Sequence, residues 1–557
     1  MQQDFVLPCP LSVPVPGALA QRPPTLAGAP VALIDNTRME QSTFQGLAEA
    51  LAQQVRAQGA TVVPVRLPLL SWSAEELASQ AQALGGRGLA AAVIGLGEAG
   101  ICQPTVDLAI ALERLGVPTV TVLVEPGVSL ARAVAAAHLP GLPLVDLGVP
   151  PHEMKGRAEA VVRAVGAQIL AALLRAPGAE PAPLVRDDAT APATPRLFPA
   201  VDAVLRDWRR AVAGDDPGAA ALNFLRACEA HGLGDGLPAI PPTPALVRAM
   251  CEASPWPPDS VVIPPTPPSG APVTVRLAAA NAVMAGCEPR HFACVLAALS
   301  AMAAPHYRLR QAAITTHPGT NVIFVSGPLA AQSGVAAGAG CFGPGQRANL
   351  SIGRAVNLCM MNVLRSVPGL TDLATHGSAA ELGTCFADMA FGSWPAWHEA
   401  VGGAASTVLV HRCAPLCGIM DQLSKTPEGI LRGIAATSAS IGSNNAYCPA
   451  ELLVVLSPDH AAVIQQHGWS RADVQRFLYE TARNPRALLA GRGFDPSWPA
   501  SFAGLDPVPV VPRPQDIVVA VAGGHGPQSL VGLPWGLSRA ALVTVDARGE
   551  IRLGSRE

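Results

Sequence analysis

The feature that most constrains the fold is a regular alternation of short apolar runs and longer helical patterns, which begins at residue 30. Strands that alternate with helical patterns of about 10–15 residues are typical of βαβ units on a parallel sheet. We therefore predict a doubly wound parallel α/β domain over residues 30–175. The five predicted strands, rich in β-branched and small apolar residues, lie at 31–35, 61–67, 89–97, 117–125 and 143–148.

Composition divides the rest of the chain. Residues 1–29 are proline-rich and are predicted to form an arm, and the Pro-, Ala- and Asp-rich segment 176–199 is predicted to be a linker. Residues 200–557 are rich in glycine and small residues, and strand-like runs recur there with helical patterns between them. We predict that they form a second, larger α/β region.

Charge and cysteine content exclude several classes of protein. The chain has 38 basic and 41 acidic residues, a formal charge of -3, which argues against a protein that coats nucleic acid or binds membranes through a basic surface. Twelve cysteines in 557 residues are too dilute for a disulfide scaffold, and no long uncharged apolar stretch occurs. We expect a cytoplasmic protein that binds neither nucleic acid nor membranes and forms homo-oligomers.

The turn after the third predicted strand is the first candidate site, because ligands bind beyond the carboxyl ends of parallel strands. Residues 95–100 match the pattern G-x-G-x-x-G, and Glu125 ends the next strand, as in dinucleotide-binding domains. However, the pattern follows the third strand instead of the first, and Glu98 would crowd a pyrophosphate. We therefore assign no cofactor.

The alternative to dinucleotide binding is that this turn carries a reactive thiol. Cys102 lies just before Pro104, at the predicted start of a helix, where unsatisfied N–H groups lower the pKa of a thiol. The carboxylate of Glu98 would raise the pKa of this thiol, but the Glu98 side chain can turn to solvent. We predict that Cys102 has a depressed pKa and acts as a nucleophile; the alternative is that it packs as a small apolar residue.

Two segments of this region resemble the UGSC-motif family, whose signature is a selenocysteine- or cysteine-Gly-Ser-Cys turn between a strand and a helix. The resemblance covers roughly residues 30–170 and implies a thiol-based oxidoreductase related to selenoprotein subunits of amino-acid reductases. The chain departs from the signature at Ala99 and Ile101, so Cys102 is the one thiol of the motif that is present. The segments are Gly97-Glu98-Ala99-Gly100-Ile101-Cys102 and ALERLGVPTVTV at 111–122.

Phrases of the second region resemble segments found in proteins that carry this turn, which implies a shared architecture. One of them, 338–354, is a glycine-rich loop followed by a predicted helix. Arg347 and Arg354 are seven residues apart and share a helix face, so both are expected to hold one anionic group over the loop 338–346. The alternative is a structural loop with surface arginines. The phrases are His317-Pro318, Gly327-Pro328, Cys341 to Arg354, and Cys385-Phe386-Ala387-Asp388.

The second region also holds the parts of a thiol nucleophile with a base and an orienting acid. His317 is expected at a strand end, and Cys385 and Asp388 are expected on one helical turn. The spacing of Cys413 and Cys417 fits no standard zinc pattern, and no metal site is predicted. The candidate catalytic residues are Cys102, His317, Cys341, Cys385 and Asp388, and the candidate substrate-binding residues are Arg347, Asn349, Arg354, His398 and His525.

Three functions remain open from the sequence. The first is an enzyme that acts through a cysteine thiol on a small anionic electrophilic or sulfur-containing metabolite. The second is a lyase or hydrolase of a small carboxylate-bearing substrate, sited in the C-terminal region with the N-terminal domain as scaffold. The third is a non-catalytic ligand-binding or assembly protein.

Overall fold

The fold is described by a computed structural model for most of the chain. The predicted linker lies outside the described residues except for 196–199, and so do Glu98 and Ala99. The described residues are 5–10, 17–36, 43–67, 74–97, 100–148, 158–174, 196–214, 216–401, 405–493 and 498–554.

The N-terminal domain contains the predicted five-stranded parallel sheet. Its strand order is β2-β1-β3-β4-β5, so the order reverses between β1 and β3. The strands are β1 (Pro30–Asp35), β2 (Thr61–Arg66), β3 (Ala91–Gly97), β4 (Thr119–Leu123) and β5 (Leu144–Asp146). The helices are α1 (Thr43–Ala57), α2 (Ala74–Gly85), α3 (Cys102–Arg114), α4 (Val128–His138) and α5 (Ala158–Leu174).

Both faces of this sheet are covered, because successive residues of a strand point to opposite sides. Val31 and Leu33 of β1 pack in one buried cluster with α1 and α5. Ala32 and Ile34 pack in the other cluster with α2, α3 and α4. The prediction of a doubly wound α/β domain is confirmed.

The arm that precedes the sheet is tied to both parts of the chain. Val6 N donates to Pro242 O at 2.9 Å, and Asn281 Nδ2 donates to Pro8 O at 2.8 Å. Further along, Arg22 and Glu113 form a buried ion pair with an Nη1–Oε2 distance of 2.7 Å. The described part of the arm therefore connects the N-terminal domain with the C-terminal region.

The C-terminal region is α/β, as predicted, with a mixed sheet. Its helices are α6 (Val201–Ala211), α7 (Pro217–Ala230), α8 (Pro244–Glu252), α9 (Val275–Met284), α10 (Phe292–Met302), α11 (Leu309–Ala312), α12 (Pro328–Gln332), α13 (Arg347–Leu358), α14 (Trp397–Ala400), α15 (Pro427–Ser438), α16 (Pro458–Gln466), α17 (Arg471–Thr481) and α18 (Arg486–Leu489). Its strands are β6 (Val261–Thr266), β7 (Ala271–Thr274), β8 (Thr320–Ser326), β9 (Thr384–Ala387), β10 (Ser406–Met420), β11 (Leu452–Leu456), β12 (Arg483–Asn484), β13 (Val508–Pro509), β14 (Ile517–Val521), β15 (Gln528–Pro534), β16 (Ala541–Val545) and β17 (Ile551–Leu553).

The long strand β10 organises the main sheet of this region. It pairs antiparallel with β8, β15 and β16, and β8 pairs parallel with β9. On the other side, β15 pairs with β11, which pairs parallel with β14. Met389 N donates to Val521 O at 2.9 Å and thereby joins the residues after β9 to the end of β14. The sheet therefore curls around a buried cluster drawn from β8, β9, β10, β11 and β14.

Within the described ranges, no single helix combines the length and apolarity needed to cross a membrane. One bent pair, Pro289–Met302 with Pro305–Ala312, meets that test by length and composition, with a bend of 80°.

The helix α13 crosses very close to the backbone that leads into β9. A Cβ atom added at Gly353 would lie 2.8 Å from Gly383 Cα and closer still to Thr384 N. Backbone atoms cannot move aside as a flexible side chain can, so only glycine fits at this crossing.

We expect Gly353→Ala to lower the free energy of unfolding by about 1–3 kcal/mol, because overpacking against backbone forces α13 away from β9. Chemical denaturation monitored by circular dichroism measures the change. Gly418→Ala is the matched control, since a Cβ atom there meets nothing within 4 Å. Equal unfolding midpoints for the two variants would contradict the close crossing.

Candidate active site

Cys102 begins α3 but is completely buried there. Its Sγ donates to Gly127 O at 2.8 Å, and a Cβ atom at Gly127 would lie 2.9 Å from Cys102 Cβ. Burial raises the pKa of this thiol well above its ordinary value, and the charges of Asp107 and Glu125 raise it further. The predicted depressed pKa is therefore wrong: desolvation outweighs the effect of the helix terminus, because the thiol is enclosed.

The polar groups around Cys102 lie at the point where the strand order reverses. Asn36 follows β1, and its Nδ2 donates to Thr105 Oγ1. Gln103 Nε2 donates to Asp107 Oδ1 at 2.9 Å. Asn36 and Gln103 are both buried.

Cys385 and Asp388 lie in and just after strand β9, so the predicted helical turn is wrong. Because side chains alternate along a strand, the two groups point to opposite faces of the sheet. Cys385 is buried against the helices, and burial raises the pKa of its thiol well above the ordinary value. The structure therefore does not assemble these two residues into a nucleophile and its acid.

Asp388 instead meets His398 through a serine that the sequence analysis missed. Asp388 Oδ2 accepts from Trp397 N at 2.6 Å and from Ser326 Oγ at 3.2 Å. Ser326 Oγ also lies 3.1 Å from His398 Nδ1. In a catalytic triad the histidine bridges serine and acid. Here the buried serine bridges the other two, so the cluster anchors the start of α14.

Asn349 and Cys341 belong to the support of the glycine-rich loop. Asn349 Oδ1 accepts from Ala336 N at 2.8 Å, and its Nδ2 donates to the carbonyls of Ala336 and Cys341 at 2.9 and 3.0 Å. Both N–H groups of this buried amide are used within the protein, so Asn349 has no donor left for an anionic substrate. Burial raises the pKa of the Cys341 thiol, although backbone N–H groups, including that of Gly523, oppose the shift.

The two arginines of α13 are paired with carboxylates. Arg347 Nη1 lies 2.6 Å from Glu288 Oε1, and Arg354 Nε lies 2.6 Å from Asp235 Oδ2. The prediction that both guanidinium groups point to one ligand is wrong, because each is drawn to an acid from a different segment. Arg347 fits the alternative, a structural loop with surface arginines, because its side chain is exposed, whereas the side chain of Arg354 is mostly buried in its ion pair.

His525 is an exposed residue whose Nδ1 lies 3.0 Å from Asp459 Oδ1. The pair lies beyond the end of β14, at the start of α16. Among the described residues, no group of three or more His, Cys, Asp or Glu side chains is arranged to hold a metal ion.

His317 is the predicted residue that lines a large cleft. It precedes β8 instead of following a strand, because 314–319 form a loop. The cleft has a volume of about 850 Å³ and lies between this loop, the strands β10 and β15, and the end of α15. Its other lining residues are Pro318, Gly377, Ser378, Ala414, Cys417, Ala436, Thr437, Ser440, Ile441, Gly442, Ser443, Asn444 and Leu533.

His317 is held in its neutral form. Burial and the charge of Arg412 lower the pKa of its imidazole to about 4. Its Nδ1 is buried without a partner among the described residues and faces Gly319, whose added Cβ would lie 3.2 Å away. The other ring nitrogen, Nε2, is therefore the one that a molecule in the cleft can reach.

Arg412 of β10 is a buried cation behind His317. It is 7% exposed, its Nη1 donates to Asn321 Oδ1 at 3.2 Å, and its Nε has no partner among the described residues. The guanidinium carbon lies 5.7 Å from the centre of the Trp535 ring. No described carboxylate forms an ion pair with it.

Cys417 was missed as a candidate and lies in the same cleft. Of the twelve cysteines, it is the one that is not buried. A weak signal for this cleft is present in the sequence, since polar Ser440, Ser443 and Asn444 follow an amphipathic helical pattern, but no sequence pattern connects them with His317. The structure brings these residues together through the pairing of β10 with β15 and the packing of α15.

We expect iodoacetamide to label Cys417 first in the native protein and to leave Cys102 unlabelled until unfolding, because only exposed thiols react. Time-resolved labelling with peptide mass spectrometry at pH 8 measures both sites. Cys417→Ser is the control and removes the fast phase. Rapid labelling of native Cys102 would contradict its enclosure.

Comparison with known proteins addresses the N-terminal part of the chain. Residues 4–178 match the model of the UGSC family, in agreement with the resemblance of the turn at Cys102. No curated protein and no solved structure matches the chain. The family match ends before the C-terminal region that contains the cleft. The N-terminal part of this chain is a UGSC-family domain.

Proposed function

We propose that the chain is an enzyme whose active site is the His317 cleft, and that it is a lyase or hydrolase of a small carboxylate-bearing substrate. One observation carries the proposal: the neutral imidazole of His317 lines a cleft of about 850 Å³, and the buried guanidinium of Arg412, which forms no ion pair with a described carboxylate, lies behind it. Pockets of this size hold small metabolites. The N-terminal domain acts as scaffold.

The neutral state of His317 suits it to act as a general base. Because the pKa is about 4, the imidazole is unprotonated at neutral pH and the lone pair of Nε2 is free. A base with this low pKa is weak, so the proposal requires that the carboxylate of the bound substrate raise the pKa of His317 toward neutrality. In a hydrolase the proton comes from the attacking water; in a lyase it comes from the carbon next to the carboxylate, while the leaving group departs with its electron pair. Both reactions place negative charge near His317.

Arg412 supplies the electrostatic part of the mechanism. A cation in a low-dielectric interior acts more strongly on nearby charge than one at the surface. Its positive charge attracts the carboxylate of the substrate and stabilises negative charge that develops during the reaction. Burial and the same charge lower the pKa of His317 and keep it unprotonated in the free protein.

A thiol enzyme is the second candidate, and one observation favours it. Cys417 is the least enclosed cysteine and lines the same cleft as His317. Burial raises the pKa of its thiol, so a base would have to remove the proton. Cys102, Cys341 and Cys385 do not support this mechanism, since all three are buried.

The expectations from the sequence about substrate, oligomeric state, compartment and partners are part of the same proposal. The substrate is a small anionic molecule, the protein forms homo-oligomers in the cytoplasm, and neither nucleic acid nor a membrane is a partner. The near-balance of charge supports the absence of nucleic-acid and membrane partners.

We expect His317→Gln to reduce turnover by about 100-fold or more, because glutamine cannot accept the proton. Small carboxylates that raise the melting temperature of the full chain are first identified by differential scanning fluorimetry. Their conversion by each variant is then followed by proton NMR. Cys417→Ser is expected to retain turnover within about threefold.

The control for this experiment is His467→Gln, an exposed histidine that lies outside the cleft. Loss of turnover in Cys417→Ser but not in His317→Gln would select the thiol enzyme. A carboxylate that binds without conversion by the wild type would select the non-catalytic function.

We expect kcat/KM to be independent of pH between about 5.5 and 8 and to fall below pH 5, as His317 is protonated with a pKa of about 4. The depressed pKa also means that the stability contributed by neutral His317 is present above pH 6.5 and is lost as pH falls toward 4. Rate profiles and denaturation curves across this range measure both effects. A loss of activity centred near pH 6.5 would contradict the assignment.

A further inference from the structure

A second, smaller cavity of about 250 Å³ lies next to the cleft and shares a wall with it. Residues 441–444, which follow α15, line both cavities. The other described residues that line the small cavity are Tyr447, Arg492 and Gly493. We name this cavity the Arg492 pocket and residues 441–444 the shared wall.

Most backbone N–H groups of the shared wall have no acceptor within the described protein. Those of Ile441, Gly442 and Asn444 are in this state, whereas Ser443 N donates to Ser440 O at 3.1 Å. An N–H group in this state can donate to the oxygen of a ligand.

Three of the four carbonyls of the shared wall, in contrast, already accept a hydrogen bond. Ile441 O accepts from the Tyr447 hydroxyl at 3.0 Å. Ser443 O accepts from Ala446 N at 3.2 Å, and Asn444 O accepts from Tyr447 N at 2.9 Å. The backbone of the shared wall therefore offers a ligand more donors than acceptors.

The side chains of the shared wall do not select a charge. Ser443 Oγ donates to Asn445 Oδ1, and Asn444 Nδ2 donates to Trp535 O at 3.0 Å. Hydroxyl lone pairs, one amide N–H and an amide oxygen remain, which is a mixture of donors and acceptors.

Arg492 gives the pocket its charge. It is the one charged side chain among the described residues that line the pocket, and its guanidinium has no acceptor within the described protein. Nearby Arg486, by comparison, uses Nε and Nη2 on the carbonyls of Leu505 and Phe502 at 2.6 and 2.7 Å. A guanidinium group with all of its donors available suits the oxygens of a carboxylate or phosphate.

The turn that carries Arg492 is fixed against the shared wall. Gly493 has a φ of 60°, and a Cβ atom added there would lie 2.6 Å from Tyr447 Cζ. The backbone of this turn therefore packs directly on the Tyr447 ring, whose hydroxyl is bonded to Ile441 O. This packing holds the guanidinium and the N–H groups of the shared wall beside one cavity.

We propose that the Arg492 pocket binds a second anionic group of the substrate, a carboxylate or a phosphate. Arg492 and the N–H groups of the shared wall donate hydrogen bonds to the oxygens of this group. The inference rests on the proposed function, because the first carboxylate of the substrate lies in the His317 cleft. The substrate is thus a small dianion that extends over the shared wall.

Matched pairs of probes test the inference with the full chain. Butanoate, pentanoate and hexanoate are each compared with the dicarboxylate of the same length by isothermal titration calorimetry at pH 7. We expect at least one dicarboxylate to bind about tenfold or more tightly than its monocarboxylate partner. Inorganic phosphate is expected to compete with that dicarboxylate but not with the monocarboxylate.

Arg492→Gln is expected to remove the preference for the dicarboxylate and to leave the affinity for the monocarboxylate within about twofold of the wild-type value. Arg432→Gln is the matched control, because Arg432 is an exposed arginine of α15 outside both cavities. Both variants are checked for folding by circular dichroism before titration.

The outcomes separate this inference from the proposed function. Monocarboxylate binding with equal affinities within every pair overturns the second anionic group but keeps the proposed function. An unchanged preference in Arg492→Gln overturns the assignment to this pocket. Phosphate binding that depends on Arg492, without binding of any monocarboxylate, supports the pocket and overturns the proposed function. Absence of binding by all probes overturns both.

Discussion

The burial of the Arg412 guanidinium is the constraint on which the C-terminal region depends. Arg412 lies in β10, the strand that pairs with β8, β15 and β16, and its charge is compensated by dipoles and an aromatic face instead of an ion pair. Burial raises the pKa of Asp372 and Glu381, and Arg412 opposes both shifts. An unpaired cation costs several kcal/mol in a protein interior. This cost supports the proposal that the guanidinium acts on a bound carboxylate.

A hydrogen-bonded network holds this cation in place. Asn321 Oδ1 accepts from Arg412 and from Tyr307, and Asn321 Nδ2 donates to Asn357 Oδ1 at 3.0 Å. Asn357 in turn donates to the backbone carbonyl of Glu381, in the segment that follows the cleft-lining Ser378. The loop, the helix α13 and the sheet are thus connected through side chains of fixed orientation. Under the proposed function, this network arranges the site before a substrate binds, which lowers the reorganisation needed during the reaction.

The fold could be predicted from the sequence because the spacing of apolar residues and the composition of each segment are local properties of the chain. All five strands of the N-terminal sheet lie where the apolar runs predicted them, and both α/β regions are present. The site could not be predicted in the same way, because the role of a charged side chain depends on which oppositely charged side chain it contacts in the folded protein. Arg347 and Arg354 share a helix face as expected, yet Glu288 and Asp235 come from segments far away in sequence. Cys102 likewise depends on Gly127, a packing contact that its own turn does not reveal.

Under the proposed function, the UGSC-family domain has a structural role and the chemistry takes place in the C-terminal region. One continuous cluster of buried residues joins α3 and α4 of that domain to α9 and α10, and the arm adds hydrogen bonds to Pro242 and Asn281. Each large apolar side chain in such a cluster contributes about 1.5–3 kcal/mol of stability when buried. Cys102 is part of this cluster. Its thiol is therefore enclosed by the same packing that ties the two regions together, and exposing it would require that packing to open.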